Sequence, residues 1–374
     1  SVDSGPAAAG GADGYRGVAM AVKKIGGVID GHPIKIVQEG TDQTGPVALT
    51  KVRKLVEQDH AQIVVGPGSG DEGAAVANYS DSQPGVTFLD GIAAGENETL
   101  KHPNVFRFAY GDGAQWVAGL GTYAYDTLGV KTVATLGDDY SFGYAQVGGF
   151  VSEFCQAGGT VPKEIFTPLG ATDYSSVVPQ IPSNVDAVYI ALNGADAINF
   201  LNAYYAQGGH AKFIASSITI DQSVLSAKGN VKDHLIGVTS ATPVADTIDT
   251  PAWKDFVSAY QQQYPKGFSS PSVWAAGYYS NAMAVFTALQ KVSGDLSNNQ
   301  AAFRAALKAL TLDSPTGPIS LDANQNGIFT NYIAQTEQGP DGTLVNKVIK
   351  AVPNVQESTY TANGEASRTN PSCP

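Results

Sequence analysis

The sequence is poor in charge, in basic residues and in cysteine. Only 15% of its 374 residues are charged, and 34 acidic residues outnumber 22 basic ones, which gives a net charge of -12. So acidic a chain is repelled by nucleic-acid phosphates and anionic lipid heads, because Lys and Arg supply the affinity for both. No apolar run reaches the length of about 18 residues that a membrane-spanning helix needs. The composition is that of a globular protein and excludes nucleic acid as a partner.

Cysteine occurs only twice, at Cys155 and Cys373. A disulfide between them would hold down the polar tail at residues 369–374 and would place the protein outside the cytoplasm. Two unpaired thiols are the alternative. Because the two cysteines match no CxxC or metal-site spacing, the sequence predicts neither a metal site nor a cofactor.

Motifs for catalysis are also missing. There is no GxSxG or HExxH motif, and neither cysteine has a neighbouring base in the sequence. Paired acids such as Asp138-Asp139 are more typical of solvated loop ends than of acid–base catalysis. We therefore expect a protein that is not an enzyme. Five histidines at the ends of predicted elements are expected on the surface: His32, His60, His102, His210 and His234.

The first 240 residues contain a regular alternation of amphipathic and β-rich segments, which indicates parallel sheets. Helical periodicity covers residues 15–25, 44–58, 115–128, 144–157 and 195–206. Strand-like runs cover residues 33–38, 61–65, 86–89, 132–136, 165–167, 187–191, 212–215 and 236–240. The pattern restarts after Gly111, and so the sequence predicts two sheets rather than one.

After residue 240, three helical segments at 252–263, 273–292 and 301–310 precede two strand-like segments at 328–335 and 345–352. The simplest arrangement returns the helices to the first sheet and adds the strands to the second. The predicted fold class is α/β, with two doubly wound Rossmann-like lobes of mainly parallel sheet. Residues 1–111 with 243–322 form lobe 1, and residues 112–242 with 323–374 form lobe 2. Three crossings, near Tyr110, Thr242 and Asp322, form a hinge that closes around a ligand.

Several segments resemble a known family in their order and spacing. They are the loop Ser4 to Gly10 with Gly17 and the helix at 19–22, Gly66-Pro67 after 63–65, the acidic and aromatic loop at 138–143, and 172–176 followed by 185–190. In these features the chain is similar to the periplasmic type I binding proteins of the branched-chain amino acid ABC-transporter group. One departure is that the chain opens at Ser1-Val2-Asp3, where the central first strand of lobe 1 should already be ending.

The resemblance implies a mature chain without its signal peptide, located in the periplasm or on the cell surface through a lipid anchor. It also implies a monomer that binds a small-molecule solute and delivers it to an ABC transporter permease. A ligand-sensing receptor domain of the same fold is the alternative.

A second alternative arises from the GxGxxG sequence at residues 68–73, which lies between a predicted strand and helix. Asp90 follows at the position of a ribose-binding acid, which suggests an NAD-dependent enzyme. Asp71 and Glu72 argue against it, because they would set two carboxylates beside a pyrophosphate. The helix N-terminus is better suited to a carboxylate.

Ligands of open α/β sheets bind beyond the carboxyl ends of the strands, and so the loops at those ends are the predicted site. We expect Ser69, Gly70 and Ala93 to receive an anionic group and the aromatic residues to form apolar walls. The predicted ligand-binding residues are Ser4, Gly10, Ser69, Gly70, Asp71, Asp90, Gly91, Ile92, Ala93, Tyr140, Phe142, Asn193, Gly194, Ser217, Thr219, Ser272 and Trp274.

The resemblance further implies that amino-acid binders carry hydroxyls on the two lobe 1 loops and an acid in lobe 2 for the ammonium group. The corresponding positions here hold Gly70, Ala93 or Ala94, and Ser217. The clamp for an α-amino acid is therefore incomplete, unless Asp71, Asp90 or Asp221 supplies the charge. We expect a small carboxylate-bearing or aromatic solute rather than leucine.

Overall fold

The computed structural model describes residues 1–95, 98–227, 229, 231–339, 341–357 and 373. The helices are α1 (Ala8–Lys24), α2 (Gly45–Arg53), α3 (Gly70–Ser80), α4 (Leu120–Asp126), α5 (Ser141–Gln156), α6 (Gly194–Ala206), α7 (Gln222–Leu225), α8 (Val231–Leu235), α9 (Pro251–Gln263), α10 (Val273–Lys291) and α11 (Ser297–Lys308). The strands are β1 (Val28–Ile29), β2 (His32–Pro33), β3 (Ile63–Val65), β4 (Thr87–Leu89), β5 (Val105–Phe106), β6 (Thr132–Asp138), β7 (Thr160–Thr167), β8 (Ala187–Ala191), β9 (Lys212–Ala215), β10 (Thr239–Thr242), β11 (Leu312–Ser314), β12 (Gly317–Leu321), β13 (Gly327–Gln338) and β14 (Leu344–Val355).

Two separate main sheets form the cores of two lobes. The first is a parallel sheet in the order β3-β4-β5, with Val64 opposite Phe88. The second runs β11-β12-β13-β10-β9-β8-β6-β7, with β14 paired to β13. Strands β6 to β10 pair in parallel, whereas β13 and β14 are antiparallel additions. The predicted two-lobe α/β fold is confirmed, including the addition of the last two strands to the second sheet.

The predicted boundaries agree best with the observed ones for strands inside the second sheet. Strands β8 and β9 coincide with the predicted segments 187–191 and 212–215. The strand predicted over 33–38 is wrong, because only Pro33 is in a strand and it belongs to the short β1–β2 hairpin. The physical reason is that the described chain offers segment 34–38 no neighbouring strand to pair with. Val2 instead makes a single parallel bridge with Thr41.

Helix α10 packs along α1 and reaches β3 of the first sheet. Glycines on α1 allow this approach. A Cβ atom on Gly17 would lie 3.0 Å from the carbonyl carbon of Ala275 and 3.1 Å from the amide nitrogen of Tyr279. A Cβ on Gly14 would lie 2.9 Å from the ring of Tyr278. Helix–helix contact at backbone distance therefore requires residues without side chains on α1.

A disulfide joins Cys155, near the end of α5, to Cys373, with their Cα atoms 5.3 Å apart. The predicted pairing is confirmed and the alternative of two unpaired thiols is wrong. The bond attaches Cys373 to the second lobe; the surrounding tail residues lie outside the described part of the chain.

Two histidines depart from the expected surface position, since His234 is half-buried and stacks on the ring of Tyr205. His102 is buried, and its Nδ1 lies 2.8 Å from the carboxylate of Asp81, which supplies the polar partner that burial requires. Among the described residues no helix is long and apolar enough to cross a membrane.

We expect Gly17→Ala to destabilise the protein by about 1–3 kcal/mol, the usual cost of overpacking, although alanine favours a helix. Urea unfolding monitored by circular dichroism measures this. Gly85→Ala is the matched control, because the nearest atom to its added Cβ is 3.9 Å away. Equal stability of the two variants would contradict the close packing of α1 on α10.

Candidate functional site

The loops at the carboxyl ends of the two main sheets approach each other, and the interface between these loops is called the cleft below. The loop after β3 leads into α3, and the loop after β6 leads into α5. The amide of Ser141, at the start of α5, lies 3.4 Å from an oxygen of Asp71 on α3. The lobes also approach each other at Pro6, before α1, and Gly194. A Cβ atom added to Gly194 would lie 2.8 Å from the Pro6 carbonyl oxygen. The loops predicted to bind ligand therefore meet across the two lobes.

Aromatic side chains from both lobes belong to one buried hydrophobic cluster at this interface. Tyr140 and Phe142 of the second lobe belong to the same buried cluster as Ala7, Ile92 and Trp274 of the first lobe. The rings of Phe142 and Tyr140 are 6.3 Å apart. Phe142 also packs edge-on against Trp116 at 5.4 Å, which fixes its orientation. The second lobe thus contributes an apolar wall that touches the first.

Two glycines give Trp274 its position. A Cβ on Gly10 would lie 2.6 Å from its Cδ1, and a Cβ on Gly68 would lie 2.9 Å from its Cη2. The indole is therefore held flat between the start of α1 and the loop after β3. Gly91 has a similar role one turn further along α10, because a Cβ there would lie 2.5 Å from the Tyr278 hydroxyl oxygen.

The GxGxxG segment contains a carboxylate, that of Glu72, which accepts hydrogen bonds from backbone amides in and near the segment. Glu72 is buried and accepts hydrogen bonds from the amides of Gln43 at 2.9 Å and Gly68 at 3.3 Å. Ser69 donates its hydroxyl to the Gln43 carbonyl at 3.1 Å. Burial raises the pKa of Glu72 above its ordinary value. Since the side chain of Glu72 and not a ligand uses the Gly68 amide, this loop is unsuited to a pyrophosphate.

Asp90 shapes the second loop of the first lobe. Its two oxygens accept the amides of Ala93 at 2.7 Å and Ala94 at 3.1 Å. Arg107 donates to the same carboxylate at 2.8 Å, and also pairs with Glu98 at 3.2 Å. Burial and the charge of Asp90 raise the pKa of Glu98. The Ala93 amide, predicted to receive an anion, is therefore already engaged by Asp90.

Two carboxylates accept hydrogen bonds from residues at the N-terminus of α10. Asp221 of the second lobe accepts the amides of Val273 at 2.8 Å and Ser223 at 3.2 Å. Asp13 on α1 accepts both the hydroxyl of Ser272, at 2.6 Å, and its amide, at 3.1 Å. Burial raises the pKa of Asp221 to about 6. The Asp221–Val273 bond is thus a second polar link between the lobes.

The remaining predicted site residues are held by their own lobes. Ser217 is bonded through its amide and hydroxyl to Gln146, at 3.2 and 3.0 Å. The Thr219 hydroxyl donates to the Leu192 carbonyl at 2.9 Å. Ser4 is exposed, with its hydroxyl 3.4 Å from the Thr41 carbonyl oxygen. These hydroxyls support the loops rather than project freely into the cleft.

Sequence reasoning missed two residues that matter here. Ser141 has a buried hydroxyl oxygen for which the described residues supply no hydrogen bond, and it lies against Gly70 across the cleft. Gln146 links Ser217 to the first helical turns of α5. Ser141 directly precedes the predicted wall residue Phe142 at a helix start, a signal that could have found it. Gln146 lies inside a helix, where no local pattern marks it.

Comparison with known proteins places the chain in a family. A family model described as periplasmic binding protein matches residues 1–342. The chain belongs to this family. The Leu/Ile/Val-binding protein homolog 6 of Brucella melitensis is 26% identical over 359 residues, 93% of this chain and 88% of that protein.

Solved structures agree with this assignment. An ABC transporter substrate-binding protein from Sphaerobacter thermophilus is 27% identical with a TM-score of 0.85, over 95% of this chain and 97% of the other. A solute-binding protein from Rhodopseudomonas palustris BisB5, in complex with 3,4-dihydroxybenzoic acid, has a TM-score of 0.87 and 24% identity over 95% and 96%. This periplasmic binding protein is accordingly an extracytoplasmic, solute-binding component of an importer.

The Asp221 link predicts a pH dependence of stability. With its pKa raised to about 6 in the folded state, Asp221 keeps its proton at pH values where the unfolded chain has lost it. Its contribution, on the order of 3 kcal/mol, is present below about pH 4 and is lost as the pH rises through 6. Asp221→Asn should therefore flatten the fall in the free energy of unfolding from pH 4 to pH 6, measured by urea unfolding.

Asp249→Asn is the control, because a hydrogen bond from Lys254 lowers the pKa of this exposed acid and moves its titration below that window. Identical pH profiles for the wild type and Asp221→Asn would show that Asp221 is not the buried acid described.

Proposed function

We propose that the cleft binds a small carboxylate-bearing solute, an aromatic or other organic acid in preference to an α-amino acid. The observation that carries this proposal is the convergence of two helix N-termini from opposite lobes. Helix α3 begins at Gly70 and α5 at Ser141, and these two residues are in contact.

The chemistry of helix starts explains why a carboxylate suits this place. The first N–H groups of each helix have no acceptor within the helix, and the helix dipole places positive potential there. Two such ends that face each other repel unless an anion lies between them. Asp71, an exposed residue of α3, partly fills that role by accepting from Ser141. The buried Ser141 hydroxyl is a further donor for a solute carboxylate.

The acids near the cleft argue against an α-ammonium group as a required feature. Asp90 is committed to Arg107 and two amides, and Asp221 is committed to Val273 and Ser223. An ammonium group buried without a carboxylate partner is costly. Of the three acids Asp71, Asp90 and Asp221, only the exposed Asp71 is not already engaged by two or more donors of the described chain. Structural relatives include both a complex with 3,4-dihydroxybenzoic acid and a leucine-binding protein from Thermotoga maritima. In our proposal the aromatic side chains of the cleft favour the first of these two solute classes.

The lobes close as a hinge, with residues 1–111 and 243–322 on one side and 112–242 and 323–374 on the other. Opening breaks the interlobe bonds Asp71–Ser141 and Asp221–Val273 and exposes Tyr140, Phe142 and Trp274 to the solute. The monomeric, solute-loaded form is delivered to an ABC permease, from the periplasm or from a lipid anchor on the cell surface.

A matched ligand pair tests the proposed solute class. Isothermal titration calorimetry and thermal shift with benzoate and benzamide compare two rings that differ in the carboxylate. We expect benzoate to stabilise the protein and benzamide to have little effect, with isoleucine weaker than benzoate. Stabilisation by NAD alone, or equal binding of benzamide and benzoate, would overturn the proposal.

The aromatic wall gives a second prediction. Phe142→Ala and Trp274→Ala should each weaken benzoate binding by about 1 kcal/mol or more, as expected for loss of a buried aromatic anchor. Phe213→Ala is the control, because Phe213 is buried in β9 within the separate core of the second lobe. Calorimetry that gives wild-type affinity for both cleft variants would show that the cleft has been placed wrongly.

A further inference from the structure

Behind the aromatic wall, a buried row of polar groups ends at the hydroxyl of Tyr140. Asn193, the residue before α6, donates its side-chain nitrogen to the Tyr140 hydroxyl oxygen at 2.7 Å. The same nitrogen donates to Asp138 at 2.9 Å, and the Asn193 backbone amide donates to Asp138 at 2.8 Å. Asp138, Asn193 and Tyr140 are 0%, 2% and 6% exposed, so that water cannot replace these bonds freely.

Asp138 fixes which way the Asn193 amide points. Its Oδ2 atom accepts from two nitrogens and therefore must face the NH2 end of the side chain and not its oxygen. Asp196 on α6 adjoins Asp138 and receives the Gly170 amide at 2.7 Å. Burial and the charge of Asp196 raise the pKa of Asp138, and burial raises the pKa of Asp196 to about 6. A proton held on the Oδ1 atom or between the two carboxyls leaves the Oδ2 atom an acceptor for both nitrogens.

This orientation determines the role of the Tyr140 hydroxyl. Because its oxygen accepts a hydrogen from Asn193, its own hydrogen is left for another acceptor. Within the described residues, the bond from Asn193 is the only hydrogen bond found at this hydroxyl. Tyr140 belongs to the buried hydrophobic cluster that also contains Phe142 of the same lobe and Ala7 and Trp274 of the first lobe. Its hydroxyl hydrogen is therefore left for an acceptor such as a solute bound between the lobes.

We propose that Asn193, held by Asp138, is a positioning residue that turns the Tyr140 hydroxyl into a hydrogen-bond donor directed into the cleft. The solute selected is one that presents an acceptor oxygen to the second lobe. The inference rests on the proposed function for the identity of the solute, but the orientation of Tyr140 is a property of the protein alone.

The orientation is tested without ligand by NMR of protein labelled with 13C at the tyrosine Cζ, a nucleus that senses hydrogen bonds at the phenol oxygen. The chain has 17 tyrosines, and the resonance lost in Tyr140→Phe identifies Tyr140. We expect Asn193→Leu to shift that resonance. Asn199→Leu is the matched control on α6, since this asparagine donates to the Ala171 carbonyl at 3.2 Å instead. An unmoved Tyr140 resonance in Asn193→Leu would overturn the positioning role.

Binding is tested by a double-mutant cycle with benzoate. Tyr140→Phe should weaken binding roughly fivefold, the loss expected for one hydrogen bond. Asn193→Leu should weaken it by a similar factor in the wild-type background and have almost no effect in Tyr140→Phe. Equal effects in both backgrounds would mean that Asn193 acts only on the fold, and would overturn the inference. If Asn193→Leu does not fold, Asn193→Ser keeps a residue favoured before a helix and replaces it in both experiments.

The NMR experiment and the binding experiment distinguish failure of the proposed solute class from failure of the positioning role of Asn193. If benzoate and the other acids fail to bind the wild-type protein, the proposed solute class fails, and the Tyr140 resonance alone decides whether Asn193 positions the hydroxyl.

Discussion

The N–H groups at the start of helices α3 and α5, which have no acceptor within their own helices, are the constraint on which our account of the cleft depends. Both helices follow parallel strands, and so their positive ends point toward the opposite lobe. Gly70 and Ser141 bring the two ends into contact, and Asp71 supplies negative charge between them. Without an anion at this place the closed arrangement would set like potentials against each other. The charge of the solute and the closure of the lobes are therefore coupled in our proposal.

The two loops of the first lobe are rigid for reasons that lie inside that lobe. The Glu72 carboxylate accepts hydrogen bonds from the Gly68 amide in the loop after β3 and from the Gln43 amide. The Asp90 carboxylate accepts hydrogen bonds from two amides of the loop after β4. Arg107 holds Asp90 from within the lobe, and it also donates to Asn326 at 3.1 Å, in the segment that the proposed lobe boundaries assign to the second lobe. Each carboxylate would be costly to bury alone, and each is hydrogen-bonded to amides or to Arg107. Loops held in this way can move as parts of a lobe without changing their own shape.

The sequence predicts the second sheet better than the first because the second contains complete βα repeats. The segments 187–191 and 212–215 are short apolar runs with clear turns, and they match β8 and β9. The run at 33–38 is also rich in Ile and Val, but strand formation depends on a partner strand, which the local sequence pattern cannot show. In the site, the wall residues Phe142 and Trp274 follow from their positions at helix starts. The ion pair between Asp90 and Arg107 joins residues 17 positions apart. The local sequence around either residue does not predict it.

The difference between local pattern and contacts of distant residues also explains why acids predicted to bind a ligand stabilise the fold instead. From the sequence, Asp90 and Asp221 are polar residues at strand ends, where ligands bind in open α/β sheets. The loops at those ends also expose amides, and a buried amide needs an acceptor whether or not a ligand is present. Asp90 supplies it for Ala93 and Ala94, and Asp221 supplies it for Val273. In our proposal the solute is bound by the aromatic faces, the helix N-termini and the hydroxyl of Tyr140, a set of groups that would favour an anionic ring over an amino acid.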